Sequence, residues 1–424
     1  MGIRVPIPQG VNMTKVKAFR ALRPAAGYAD QIAALPYDVM DSNEARVMVK
    51  DKPLSFLHVD KAEIDLDPSV DIYADEVYQK ARTNFQALRS SSGMLKDEKD
   101  CYYIYQQTMD GRVQTGIVAC PAVDDYLNDT IKKHELTRAD KEADRIRHVD
   151  TLDANTGPIF LTHRPDPKLA SITAGWMPKH NTIFSFTADK VKHEGWIVDC
   201  PDTIAEIAEC FKHIPALYIA DGHHRCASAM RVALKRREAN PNYTGEEEFN
   251  YFLAVIFPSD QLTIFDYNRV VKDLNGLSEK DFLEKVSERF DIEAASGIVK
   301  PSAKHEFGLY MNGTWRRIRA KVGEWDNNDP VDRLDVSILQ KQLLEPILGI
   351  DDPRTCKRID FVGGIRGLVE LERRVNEGMM LAFSMYPTTM DDLMDISDAG
   401  KIMPPKSTWF EPKLLSGLFI HDLT

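Results

Sequence analysis

Apolar positions along this chain fall in short blocks of four to seven residues, cut by Gly, Pro, Asn and Asp. No single long periodicity runs through it. Tyr102-Tyr103-Ile104-Tyr105-Gln106-Gln107 and Thr115-Gly116-Ile117-Val118-Ala119 flank Asp110-Gly111, which predicts a β-hairpin. Further strands are expected at Ser55–Val59, Ile159–Thr162, Phe252–Phe257, Leu262–Val271 and Met379–Tyr386, and a second hairpin at Asn312-Gly313. Wider spacing, with Val77, Ala81, Phe85 and Leu88 on one side, predicts a helix within residues 70–95. Helices are also expected at 130–149, 281–290 and 331–344, and a glycine-rich turn at Gly363–Gly367. Strands and helices alternate loosely, so the fold class is α/β, mixed α+β. There are no internal repeats. Pro165-Asp166-Pro167 and Asn275-Gly276 mark boundaries, giving expected regions at 1–165, 166–275 and 276–424.

One turn carries far more chemistry than a turn needs. The apolar run Ala216–Ala220 leads into Asp221-Gly222-His223-His224-Arg225, and the helix-like Cys226–Leu234 comes next. A helix start exposes backbone N–H groups and the positive end of the dipole, which favours an anion. Asp221 is positioned to cap such a helix. Gly222 lets the backbone bend and a ligand approach closely. Two imidazoles and a guanidinium surround the same point. A lone histidine at a helix start is more often a cap or a surface group. Two adjacent histidines with an arginine, framed by Asp-Gly, shift that balance towards function.

A second constellation lies in residues 130–149. At about 100° per residue on a helix, His134, Arg138, Lys141, Arg145 and His148 would share an arc of roughly 80°. Leu136, Ala139, Ala143 and Ile146 would lie opposite and pack on the core, leaving the basic stripe pointing away from it. Lys132 precedes the stripe, and Glu135 and Glu142 flank one edge. A solvated face of acid–base pairs would give a similar count of charges. The sorting of one sign into one line instead suits a phosphate or nucleotide. His134-Glu135-Leu136-Thr137-Arg138 is not a zinc H-E-x-x-H motif, because Arg138 stands in place of the second histidine. A third set, Lys406, Ser407, Thr408 and Lys413, sits in a stiff, proline-rich segment and could bind an anion or simply be pinned by Trp409 and Phe410.

Charge and cysteine content narrow the classes. The net charge of −11 is a poor match for broad nucleic-acid binding. The six cysteines include no C-x-x-C spacing, so they read as free thiols of a reducing compartment. No apolar run approaches ~18 residues, so no membrane span is expected. The N-terminal residues do not have the pattern of a secretory signal. A cytoplasmic protein is the expectation. No metal ligands are assigned; a hydrolase using His223, His224 and Cys226 would lack the usual second ligand pair.

The segments Leu35–Val39, Ser55–Val59, Ile131–Glu135, Lys141–Arg145, Ile219–Arg225 and Met403–Lys413 occur in the order that resembles the bacterial family known as domain of unknown function 1015. The pentad is also similar to the signature of the ParB/sulfiredoxin superfamily, and within it to free serine kinases. That resemblance implies a strand–turn–helix core with added N- and C-terminal regions. It implies a nucleotide co-substrate, and Mg²⁺ to bridge its phosphates. It implies a phosphotransferase acting on a small hydroxyl metabolite, with serine or phosphoserine the best match because such proteins are often associated with serine biosynthesis. Asp221, His223, His224, Arg225 and Glu135 would then be catalytic. Gly222, Lys132, His134, Arg138, Lys141, Arg145, Lys406, Ser407 and Thr408 would hold phosphate and nucleotide. Asp221, Glu135 and Asp38 all remain candidates for the base that activates the hydroxyl. A phosphoserine phosphatase and a non-catalytic, ParB-like nucleotide-binding regulator are the competing readings, and a homodimer is left open.

Overall fold

The computed structural model describes residues 13–424. The chain divides into two compact units. One runs to Leu262 and takes back Pro412–Thr424, and the other is Thr263–Glu411.

The first unit is built on a nine-stranded mixed sheet. In chain order its strands are β1 (Val16–Lys17), β2 (Tyr102–Met109), β3 (Arg112–Pro121), β4 (Ile131–Lys132), β5 (Ile159–His163), β6 (Phe184–Ala188), β7 (Val191–Val198), β8 (Leu217–Asp221) and β9 (Ala254–Pro258). Across the sheet the order is β4-β8-β5-β9-β3-β2-β7-β6, and β1 pairs with β3. The β8–β4 and β9–β5 pairs are parallel; the others are antiparallel. The β2–β3 hairpin turns on Asp110 (φ 50°) and Gly111 (φ 79°), two consecutive left-handed residues that match the twist of the strands.

Among the described residues, the longest helices of this unit are α1 (Asp75–Arg89), α2 (Ala139–Leu152), α3 (Pro201–Lys212) and α4 (His223–Ala239). The 3–4 spacing of Val77, Ala81, Phe85 and Leu88 buries one face of α1. Ile117, Ile131, Leu161, Phe211, Leu217 and Ile219 join the core between sheet and helices. The C-terminal residues close the unit: Ile420 bridges to Leu22, and His421 and Asp422 pair with Asn155 and Ala154.

The second unit holds a six-stranded, fully antiparallel sheet. Its strands are β10 (Tyr267–Val271), β11 (Phe290–Ala294), β12 (Glu306–Met311), β13 (Thr314–Ala320), β14 (Ile359–Gly363) and β15 (Leu381–Ser384). They run in the order β11-β13-β12-β15-β10-β14. Asn312 and Gly313, both at positive φ, form the β12–β13 turn that the sequence predicts.

Three expectations need correction. The boundary placed at residues 165–166 falls inside the first unit, because β5 and β8 pair with each other and β9 joins them to β3. The C-terminal region does not run to the chain end, since Pro412–Thr424 packs with the first unit. Ser55–Val59 is not a strand: Leu57–Asp60 is one helical turn, with Phe56, Leu57 and Val59 all buried. All six cysteines are free. No helix among the described residues is long and apolar enough to cross a membrane.

Candidate functional site

Strand β8 lies between β4 and β5, and its apolar residues Leu217–Ala220 are buried. The strand ends at Asp221, and α4 begins one residue later. Gly222 links them at φ 93° and ψ 32°, where a side chain would be strained. A Cβ there would also stand 3.1–3.2 Å from the Arg225 guanidinium group, which folds back over the glycine. Contrary to expectation, Asp221 does not cap the helix. It is the last strand residue, and its Oδ1 accepts the Gly222 N–H at 2.9 Å. Its Oδ2 lies 3.5 Å from Lys413 Nζ and 3.7 Å from Arg225 Nη2. Burial would push its carboxyl up, but the charges of Lys413, Arg225 and His223 hold it down at about 2, so Asp221 is firmly ionised. Arg225 donates to the Pro158 carbonyl on the far side of its guanidinium group.

The parallel pairing of Leu217 with Ile131 and Tyr218 with Lys132 brings residues 133–138 alongside the pentad. This pairing overturns the continuous 130–149 helix. Residues 131–132 are strand β4, residues 133–138 are a connection, and α2 starts only at Ala139. His134 therefore leaves the supposed stripe and meets His223 edge-on, ring centres 4.5 Å apart and planes at 89°. His223 Nδ1 is 3.9 Å from Glu135 Oε2. His224 Nε2 accepts the Arg138 N–H at 3.0 Å, which pins the connection to the turn. The Arg138 side chain itself turns to solvent and pairs with Asp140. Burial lowers the proton affinity of His134 to about 4 and also pushes that of His223 well down, so both rings are neutral near pH 7.

The orientation of α2 is the reverse of that expected. Arg145 and His148 are buried, whereas Ala139 and Ala143 are exposed and Leu136 is 61% exposed. The inward stripe is tolerated because Asp144 beside it and groups from other elements satisfy it. Arg145 Nε donates to Asp144 Oδ2 at 2.9 Å, Tyr78 donates to Asp144 Oδ1 at 2.7 Å, and the Arg145 guanidinium lies 4.0 Å over the Tyr37 ring. His148 Nε2 contacts the Val59 carbonyl at 3.1 Å, and Thr156 donates to Asp60 at 3.0 Å. Lys141 donates to the Tyr73 hydroxyl at 3.0 Å.

Two adjoining hollows result. A deep cavity of about 30 Å³ is lined by Tyr37, Asp60, Arg145, His148, Thr156 and Arg225. A wider pocket of about 290 Å³ shares Tyr37, Asp60, Arg145 and His148 and adds Asp38, Tyr73 and Lys141. Arg145 and Arg225 thus both line one small cavity beside a space sized for a small metabolite. Sequence reasoning alone misses Tyr37, Asp60, Tyr73 and Thr156. Tyr37 stands in the Leu35–Val39 segment, where the proline speaks only for an extended backbone. Asp60 carries a signal of its own, an acid directly after the mostly apolar Phe56-Leu57-His58-Val59.

The structure gathers Asp221, Gly222, His223, His224, Arg225, His134 and Glu135 at the turn, and Lys141 and Arg145 at the pocket. Lys132 is half-buried on β4. Lys406, Ser407 and Thr408 belong to the second unit. There, Ser407 is buried and donates to the Pro404 carbonyl at 2.6 Å, and Lys406 lies 5.6 Å from the Tyr267 ring centre. Lys413, from the same tail, is the one that reaches Asp221.

Solved structures similar to this chain include a free serine kinase in complex with AMP (13% identical, TM-score 0.36, covering 70% of this chain and 86% of that one). A conserved hypothetical protein from Pyrococcus furiosus is 14% identical (TM-score 0.35, 70% and 92% covered). SbnI with C-terminal truncation from Staphylococcus aureus is 9% identical (TM-score 0.36, 70% and 85% covered). No curated protein matches the chain. The model of a family described as protein of unknown function, DUF1015, matches residues 16–337, and the chain belongs to that family.

Proposed function

We propose that this protein is a phosphotransferase that moves a phosphoryl group between a nucleotide and a small hydroxyl metabolite, with serine and phosphoserine as the best-fitting pair. The observation that carries this reading is the convergence of Arg145 and Arg225 on one cavity at the start of α4, although 80 residues separate them in the chain. Phosphoryl transfer demands charge neutralisation and positioning more than covalent chemistry. Two planar guanidinium groups supply the first, and the helix N-terminus at Gly222 supplies a favourable dipole.

Within this reading the residues take distinct parts. Arg225 and Arg145 bind phosphate oxygens, and Lys141 extends the positive lining into the wider pocket. Asp221, held ionised by Lys413 and Arg225, is a weak proton acceptor near neutral pH. It instead holds Lys413 and Arg225 in place. Glu135, half-exposed beside His223, and Asp38, on the pocket wall, remain the candidates to take the proton of the acceptor hydroxyl. His224, tied to the Arg138 backbone, fixes the connection that carries Glu135. Mg²⁺, supplied with the nucleotide, would neutralise charge on its phosphate oxygens. Calorimetry tests the assignment. Phosphoserine and ADP should bind to the wild type, and Arg225→Ala should abolish or strongly weaken both; unchanged binding by a folded Arg225→Ala protein would refute it.

A further inference from the structure

The pairing of β4 with β8 brings two imidazoles and a carboxylate together at the mouth of the pentad turn. One donor atom each from His134, Glu135 and His223 lies within 4.8 Å of the others. Among the described residues, this is the one such trio of His, Cys, Asp or Glu. His134 is 1% exposed and His223 6%. Neither ring nitrogen of His134 has a hydrogen-bond partner in the protein, and neither does Nε2 of His223. Buried polar atoms are nearly always satisfied, so the orphaned ring nitrogens of this contact pair point to a missing partner that takes one nitrogen from each ring. Glu135 stands at the surface end of the trio, with 43% of its side chain exposed. A ligand therefore has a route in from solvent.

We infer that His134, Glu135 and His223 form a binding site for a divalent first-row transition ion, zinc foremost. Two neutral imidazoles and one carboxylate are the ligand set of open, three-residue zinc sites. Imidazole nitrogens disfavour Mg²⁺, which takes oxygen ligands, so this ion is distinct from any Mg²⁺ carried by a nucleotide. Metal–ligand bonds of about 2.1 Å in a tetrahedral site place donors about 3.4 Å apart, so the trio closes by roughly 1 Å on binding. Rotation of the half-exposed Glu135 and a small turn of the two rings provide that closure. The Ile219 carbonyl acts on His134 from outside hydrogen-bonding geometry. A turned ring would direct one nitrogen to that carbonyl and the other to the metal, as ligating histidines usually do. Asp221, whose charge reaches both rings, adds to the attraction for a cation.

The metal site shares the pentad turn with the phosphotransferase reading but does not rest on it, and the two can fail separately; with Glu135 on the metal, Asp38 is left to take the hydroxyl proton. Tag-free, chelator-treated full-length protein would be titrated with Zn²⁺ by calorimetry and with Co²⁺ by visible absorption, with no nucleotide present. One equivalent of Zn²⁺ per chain is expected, with Co²⁺ giving intense d–d bands. Glu135→Gln, at a partly exposed position that leaves folding intact, should weaken Zn²⁺ binding by more than the roughly 10- to 100-fold typical of losing an outer-shell partner. His223→Asn should abolish the cobalt bands. No binding to the wild type, or binding unchanged in folded Glu135→Gln protein, would overturn the inference. Zinc binding without any phosphoryl transfer would leave it standing and remove the phosphotransferase reading. Transfer without zinc binding would do the opposite.

Discussion

Gly222→Ala is the substitution whose cost the structure lets one calculate in parts. At φ 93° an alanine is forced into the left-handed region, which costs about 1–2 kcal/mol. Its Cβ would also sit 3.1–3.2 Å from Arg225 Nε, Cζ and Nη2, so the guanidinium group must move. That movement breaks the Arg225 hydrogen bond to the Pro158 carbonyl, a charge-assisted bond worth about 1.5–3 kcal/mol. The sum is about 2.5–5 kcal/mol. Gly245→Ala is the control, since Gly245 lies in the same unit at φ 88° with no atom within 4 Å of its would-be Cβ. It should cost only the backbone part, about 1–2 kcal/mol. Because the chain has two units, a single unfolding transition is not assured. Urea-dependent amide exchange read by mass spectrometry on peptides from β8 and α4 gives the local value. Gly222→Ala should also lose phosphoserine binding, because Arg225 leaves the cavity. Equal losses for the two variants, within about 0.5 kcal/mol, would refute the claim that Arg225 is seated against Gly222.

Three further outcomes rest on the buried network and the thiols. Asp144→Asn leaves Arg145 buried without its carboxylate and should destabilise the first unit by about 3–5 kcal/mol, whereas the double variant Asp144→Leu with Arg145→Met should recover much of that in urea melts. His134 and His193 are held neutral by burial down to about 4, below the 6.5 of an unfolded histidine; their contribution is complete above pH 6.5 and is lost as pH falls towards 4, so melting temperature should drop across that window and drop less in His134→Gln. Cys200, half-buried with its thiol lowered by hydrogen bonds from Thr203 and Asp202, should react with a thiol reagent at pH 7.5 well ahead of buried Cys120 and Cys226, which react only on unfolding, as peptide mapping would show.

Features that depend on near neighbours are legible in the residues themselves. Asp110-Gly111 and Asn312-Gly313 favour left-handed turns wherever they occur between strands, and both appear as such. The apolar run before Asp221 and the glycine after it dictate a strand, a bend and a helix start without help from the rest of the chain. Features that depend on distant partners are not legible. Residues 130–138 have helical composition, yet Ile131 and Lys132 gain more from pairing with β8, some 85 residues away. The basic stripe looks solvated until Asp144, Tyr78, Tyr37 and Asp60 are seen to surround it, and three of those come from other elements. The same non-local pairing explains the His134–His223 contact, which no local spacing encodes. The region boundaries fail for a related reason: the sheet order crosses residue 165, and the C-terminal residues return to pair with Asn155 and Ala154.

Phosphoryl transfer at the pentad turn and the Arg145 cavity, as proposed, leaves a direct signature. Phosphorus NMR tests it most directly. The protein is incubated with Mg²⁺ and phosphoserine, with and without AMP or ADP, and in parallel with L-serine and ADP or ATP. The account predicts a new nucleotide phosphate resonance matched by loss of phosphoserine, or the reverse, absent in Arg225→Ala. Free phosphate alone would contradict transfer to a nucleotide and make the protein a phosphatase. No change in any tube, with the protein folded, would contradict the claim outright.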